Sequence, residues 1–269
     1  MKPLLKWSTL ALALALPVSA HAHRAWLLPS ATVLSGNDAW VSVDAAVSNG
    51  LFNFEHQPLR LDNLVVTAPD GSTVNPQNPS TGKYRSTFDV HLANPGTYKL
   101  AVVSDGVSAS YKDKGERKRW RGKAENLASE IPAGAEDLKV TQNLRRLETF
   151  VTAGKPNDVA LKPSGQGLEL IPVTHPNDLF AKSTATFILH IDGTPAADLK
   201  VAIARGGERY RTKPEEQTAT TDKDGKFAVT WAEPGMYWIE AEATDGKATV
   251  KEAKERRLTY AATFEVLPE

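Results

Sequence analysis

FDVHLANPGTYKLAVVSDG, residues 88–106, returns in outline as FAVTWAEPGMYWIEAEATDG, residues 227–246. Each copy places a phenylalanine seven residues before a Pro-Gly pair and a tyrosine two residues after the glycine. Proline fixes φ and glycine takes φ > 0, so each pair marks a chain reversal. The flanking runs alternate apolar and polar residues, as half-buried strands do. Read locally, each unit is a hairpin whose inward residues, Phe88, Val90 and Leu92 or Phe227, Val229 and Trp231, fill a core. Weaker echoes set WLLP (26–29) opposite ELIP (169–172) and LDNLVVTAPDG (61–71) opposite ADLKVAIARGG (197–207). The simplest fold is all-β, with two immunoglobulin-like antiparallel β-sandwich domains in tandem.

Working outward, AWVSVDAAV (39–47) puts Trp40, Ser42 and Asp44 on one face and Val41, Val43 and Ala45 on the other, the pattern of a half-buried strand. The alternation breaks in residues 111–140, where seven basic residues between Lys112 and Lys123 surround Trp120. Such a run reads first as a solvated loop and second as a contact for an acidic polymer or lipid surface. Within it ENLASEI suits a turn or two of helix. RRLETFVTAG (145–154) then reads as a closing strand, and Pro163, Gly165 and Gly167 crowd into a boundary. The expected domains are 23–165, carrying the basic insertion, and 166–269.

The amino end, MKPLLKWSTLALALALPVSA, has Lys2 and Lys6 before a short Leu/Ala run and small residues after it, which is the pattern of a secretory signal peptide over residues 1–22. The run falls short of the ~20 apolar residues that a membrane span needs, and no later stretch supplies an integral span. Cleavage after Ala20 or Ala22 leaves a histidine at or near the new amino end, in the periplasm. Zero cysteines exclude disulfides, thiolate metal sites and cysteine nucleophiles. The 32 basic and 32 acidic residues cancel, which leaves no field favouring nucleic acid.

The ordered set HRAWLLPS, TAPDG, NPGTYKL, RRLETFVTAG, LELIPVTHPNDL, DGTPAADLKVAI, TDKDGKF and EPGMYWIEA resembles a bacterial periplasmic family of unknown function formerly labelled as a nickel-uptake component. The resemblance spans nearly the whole chain after residue 22. It implies the fold, the compartment and an association with transition-metal uptake. The tripeptide His21-Ala22-His23 also resembles the mature start of periplasmic copper-resistance sandwiches, in which a terminal histidine binds Cu(II). With only Met1 and Met236, the chain lacks the methionine-rich stretch that some of those proteins use for Cu(I).

The histidines carry the chemistry independently of any family. A terminal histidine holds an α-amine and an imidazole that close a chelate ring on one ion. Cleavage after Ala20 puts His23 third from the amine, where amine, two amides and imidazole form the square-planar nitrogen set that Cu(II) and Ni(II) prefer. Cleavage after Ala22 leaves the amine and imidazole of His23, which then need another ligand; His56, beside Glu55, and His175, before Pro176, are the candidates. The candidate metal residues are therefore His21, His23, His56 and His175. His91 and His190 read as strand residues. Asp222-Lys223-Asp224-Gly225 lacks the later ligands of a calcium loop and reads as a tight turn. Phosphate loops, the Gly-x-Ser-x-Gly elbow and His-Glu-x-x-His are absent, and no enzyme is expected.

The leading expectation is a non-catalytic accessory that binds Ni(II), Co(II) or Cu(II) and meets an inner-membrane metal transporter or an outer-membrane receptor. Trp26, Trp120 and Tyr210, if exposed, would favour an adhesive or carbohydrate-binding module instead. A copper-dependent oxidative enzyme is a minor alternative that requires a second histidine and an axial tyrosine at the amine.

Overall fold

The computed structural model describes residues 23–212 and 215–269. In chain order the strands of the first half are β1 (Arg24–Pro29), β2 (Val33–Leu34), β3 (Trp40–Ser48), β4 (Gln57–Pro58), β5 (Leu64–Thr67), β6 (Thr73–Val74), β7 (Gln77–Thr81), β8 (Ser86–His91), β9 (Gly96–Asp113), β10 (Glu116–Gly122) and β11 (Glu136–Ala153). The second half adds β12 (Leu168–Pro172), β13 (Thr184–Ile191), β14 (Thr194–Pro195), β15 (Lys200–Arg205), β16 (Glu216–Thr220), β17 (Lys226–Thr230), β18 (Gly235–Asp245) and β19 (Glu255–Val266). Among the described residues helix is confined to α1 (Leu127–Glu130) and two single 3-10 turns. None is long and apolar enough to cross a membrane.

The all-β sandwich reading holds, and the assembly is tighter than two separate modules. A five-stranded sheet runs β1-β3-β8-β7 with β4 on β3, and a four-stranded sheet runs β12-β13-β14 with β17 on β13. Between them one ten-stranded sheet, β16-β15-β18-β19-β11-β9-β5-β6 with β10 and β2 at its sides, joins both halves through a parallel β11–β19 ladder from Thr141↔Glu255 to Thr149↔Thr263. Along β18 the side chains alternate between two cores: Tyr237, Ile239 and Ala241 pack with the four-stranded sheet, and Trp238 packs with the five-stranded one. The outer sheets thus cover opposite faces of the shared sheet. Residues 147–153 of β11 and 258–264 of β19 are buried without interruption, as strands covered on both faces must be. The boundary expected near residue 165 falls in the strandless link between β11 and β12.

The repeated Pro-Gly unit is a corner between sheets and not a hairpin. β8 lies in the five-stranded sheet and β9 in the ten-stranded one, and β17 and β18 are divided in the same way. Gly96 and Gly235 sit at φ 137° and 140°, and a Cβ on Gly96 would come within 2.4 Å of the Pro69 side chain. The tyrosine latches each corner. Tyr98 donates to the Asn94 carbonyl at 2.9 Å, and Tyr237 donates to that of Glu233 at 2.8 Å. This common bond accounts for the tyrosine that recurs two residues after each Pro-Gly pair.

Residues 111–140 also differ from the loop expected. β10 pairs with the outer half of β9, and β9 and β11 run on as 18-residue strands, so the segment is a projecting arm. The short helix forms at Leu127–Glu130, and its Glu130 accepts a 2.7 Å bond from the Trp120 indole. Val107, Tyr111, Leu127, Ile131 and Val140 give the arm a small core of its own. Asp222 Oδ1 accepts the backbone N–H groups of Asp224 and Lys226, which makes that stretch the tight turn expected.

Candidate metal centre

His23 and His56 are each the residue before a strand, and the two strands flank the end of β3. β1 pairs with Val43–Ser48 along one edge, so β4, paired with Ala46 and Val47, must take the other. The imidazoles meet around this strand end, stacked with centroids 4.0 Å apart and planes 20° from parallel. Both residues are exposed. His21 lies outside the described residues.

Neighbouring side chains hold the pair in place. Arg24 bonds Glu208 at 2.8 Å, pairs with Glu216 and lies 5.2 Å from the centroid of the Trp238 ring. Trp238 in turn donates to the Ala25 carbonyl at 3.0 Å. On the His56 side, Phe52 and Phe54 pack against Trp26 at 5.4 and 5.5 Å, and the Leu51 N–H reaches Glu208 at 3.4 Å. Glu208 therefore ties both histidine segments to the second half. Glu55 does not orient the His56 ring: its Oε1 accepts the N–H groups of Asn49 and Gly50 at 3.1 and 2.7 Å and closes the loop. These anchors carry no local sequence signal, since Arg24 and Glu208 are 184 residues apart.

His175 is engaged elsewhere. Its Nδ1 accepts the Asn177 N–H at 3.2 Å, which leaves the Nε2 hydrogen for Thr97 Oγ1 at 3.0 Å. Burial pushes its pKa below that of an ordinary imidazole. Thr97 precedes Ser104, a residue of the cleft beside His23, by seven positions along β9, roughly 23 Å at ~3.3 Å per residue. His175 thus stands apart from the pair. His91 stacks on Trp40 at 4.5 Å and bonds Asp38 at 3.0 Å, and His190 lies in β13 opposite Glu169. Trp26, expected as an exposed aromatic, is fully buried with its indole on Ser48 Oγ at 3.0 Å, and Trp120 is half-buried; only Tyr210 of the three is open, at 87% exposure.

Beside His23 the five-stranded sheet stops while the shared sheet continues, and the uncovered floor turns polar. A cleft of about 530 Å³ forms there, with His23, Val47 and Gln57 on its rim, Ser104, Asn143, Thr259 and Glu242 among its floor residues, and Arg121, Arg145 and Arg257 around it. One step deeper along β18 than Glu242, burial and the Glu242 charge push the Glu240 carboxyl up to about 7, against the pull of Arg145, Arg24 and Arg257. A carboxyl raised in the folded state keeps a proton that the unfolded chain has already released. Its contribution therefore favours folding below the ordinary carboxylate range and is lost as pH climbs toward about 7. Glu240→Gln should stabilise the protein by about 2 kcal/mol at pH ~8 and by little at pH ~4, measured by urea unfolding at both.

The D0-D1 domain of intimin aligns with 12% identity over 90% of this chain and 97% of its own, at a TM-score of 0.23. A tetra-tandem repeat from the extending region of a large adhesion protein aligns with 11% identity over 91% and 74%, also at 0.23. Salmonella alpha-2-macroglobulin aligns with 13% identity over 92% of this chain and 15% of its own, at 0.22. Overlays this loose carry no functional argument. No functionally curated protein matches the sequence significantly. Residues 20–245, a span that includes both histidines of the stacked pair and all but the last strand of the shared sheet, match the domain of unknown function DUF4198, and the chain belongs to that family.

Proposed function

We propose that this is a periplasmic, non-catalytic binder of a divalent transition metal, Cu(II), Ni(II) or Co(II), which passes its ion to a membrane transporter or receptor. The observation that carries the reading is the 4.0 Å stack of His23 on His56 at the rim of an open polar cleft. Stacked rings direct their lone pairs side by side, and a turn of each ring about its Cβ–Cγ bond aims one nitrogen of each at a common point. With cleavage after Ala22 the α-amine of His23 joins them, and three nitrogens suit Cu(II) and Ni(II). The anchoring of Arg24 and of the 49–56 loop acts as an outer shell that holds the ligands in register.

Protein with its native amino end should bind Cu(II) or Ni(II) with Kd ~1 µM or tighter by calorimetry. One residue added before His23 should weaken binding at least about tenfold, because the amine is then displaced from the imidazole. Because neutral imidazole is the ligand, affinity should fall as pH drops. His175→Ala should leave the titration unchanged. Equal affinity with and without the added residue would retire the amine as a ligand.

A further inference from the structure

The stacked histidines do not complete a coordination shell. Two imidazoles and an amine give three donors, and among the described residues no group of three or more His, Cys, Asp or Glu side chains is gathered to hold a metal. The cleft beside them has the opposite character. Arg121, Arg145 and Arg257 border it, Glu242 is its one acid, and that acid is already paired with Arg257 at 2.6 Å. The lining side chains therefore carry a net charge of about +2, three arginines against one glutamate. Hydroxyl and amide groups of Ser104, Asn143 and Thr259 supply neutral hydrogen-bonding partners. Guanidinium groups favour carboxylates through paired, planar hydrogen bonds. About 530 Å³ lies within the ~300–1,000 Å³ range of small-molecule sites.

Resting on the metal-binding reading, we propose that the cleft takes the metal as an anionic chelate. The divalent ion arrives on a small polycarboxylate whose free carboxylates go to Arg121 and Arg145, while His23 and His56 fill the remaining positions on the ion. A cation at the rim and guanidinium groups behind it match the two ends of such a complex. Neither the bare ion nor the bare polycarboxylate satisfies both.

Equilibrium dialysis with labelled citrate and Ni(II) tests this. Wild-type protein with its native amino end should retain citrate and nickel one to one. Arg121→Ala with Arg145→Ala should hold Ni(II) alone as wild type does, yet retain citrate at least about tenfold less well. Citrate that strips nickel without staying on the protein would overturn the proposal, as would equal retention by the double variant. If Ni(II) fails to bind in citrate-free buffer, the metal reading itself falls and the chelate proposal falls with it. Nickel bound with citrate excluded removes the chelate proposal alone.

Discussion

With the amino end at His23, His23→Ala combined with His56→Ala should weaken Cu(II) or Ni(II) binding at least about a hundredfold, and each single substitution at least about tenfold. The two rings are 4.0 Å apart and exposed, so their removal takes two donors from the ion while leaving the buried core beneath β3 intact. Fold retention can therefore be checked by an unchanged urea midpoint in the same samples. The single variants also separate the two cleavage patterns. If the amino end begins at His23, His56→Ala is as damaging as His23→Ala. If it begins at His21, the tripeptide binds the ion without help, and His56→Ala is silent while His23→Ala is not. Mass spectrometry of exported protein fixes the first residue independently. Titrations unchanged in both single variants would dispose of the site.

The second large effect lies where the halves meet. Arg146 is held between two buried carboxylates, 3.3 Å from Glu148 and 3.2 Å from Glu169, each with a side chain 4% exposed. Tyr260, wholly buried on β19, donates to the other oxygen of Glu148 at 2.9 Å. Burial alone would raise Glu169, but bonds from the N–H and hydroxyl of Ser164, with the Arg146 charge, hold it below the ordinary carboxylate range. Arg146→Met keeps the apolar stem and removes the charge, leaving two buried carboxylates without a cation. Losing one partner of a buried ion pair costs about 3–5 kcal/mol, and that loss is expected in urea unfolding near pH ~7. The sign with pH follows. A carboxyl lowered in the folded state contributes stability above the ordinary range and loses it as pH falls. Once Glu169 is protonated it no longer needs the arginine, so the gap between variant and wild type should narrow as pH falls below the ordinary carboxylate range. A gap below ~1 kcal/mol near neutrality would show the network to be incidental.

Strand content and the two cores were legible because β8 and β17 alternate along their length and β3 alternates from Trp40 to Ala45. Strand pairing was not. A Pro-Gly reversal looks the same whether the next strand returns beside its predecessor or crosses to another sheet, and the tyrosine latch shows only in three dimensions. In β11 and β19 the signal was present but of another kind: LETFVTA and LTYAATF do not alternate, because both faces are covered. The arm hid for the reverse reason, since five of the seven residues of β10 are exposed and charge appears on both of its faces. Of the four histidines that the chemistry singled out, the structure stacks His23 on His56, and His21 lies outside the described residues. The structure separates His175, whose half-buried ring is held by Thr97 and Asn177, a bonding that one histidine beside Pro176 does not disclose in sequence. Arg24, Glu208 and Glu216 had no local pattern to betray them.

The tie between Arg24 and residues 208 and 216, with Trp238 behind it, has a consequence for biogenesis. The first described segment of the polypeptide acquires its supports only after 184 to 214 further residues have emerged, and the parallel ladder joins positions 114 apart. Contacts so distant in sequence close slowly and late. An interrupted chain would carry both imidazoles and yet be unable to hold them together, so the stacked pair belongs to the finished molecule alone.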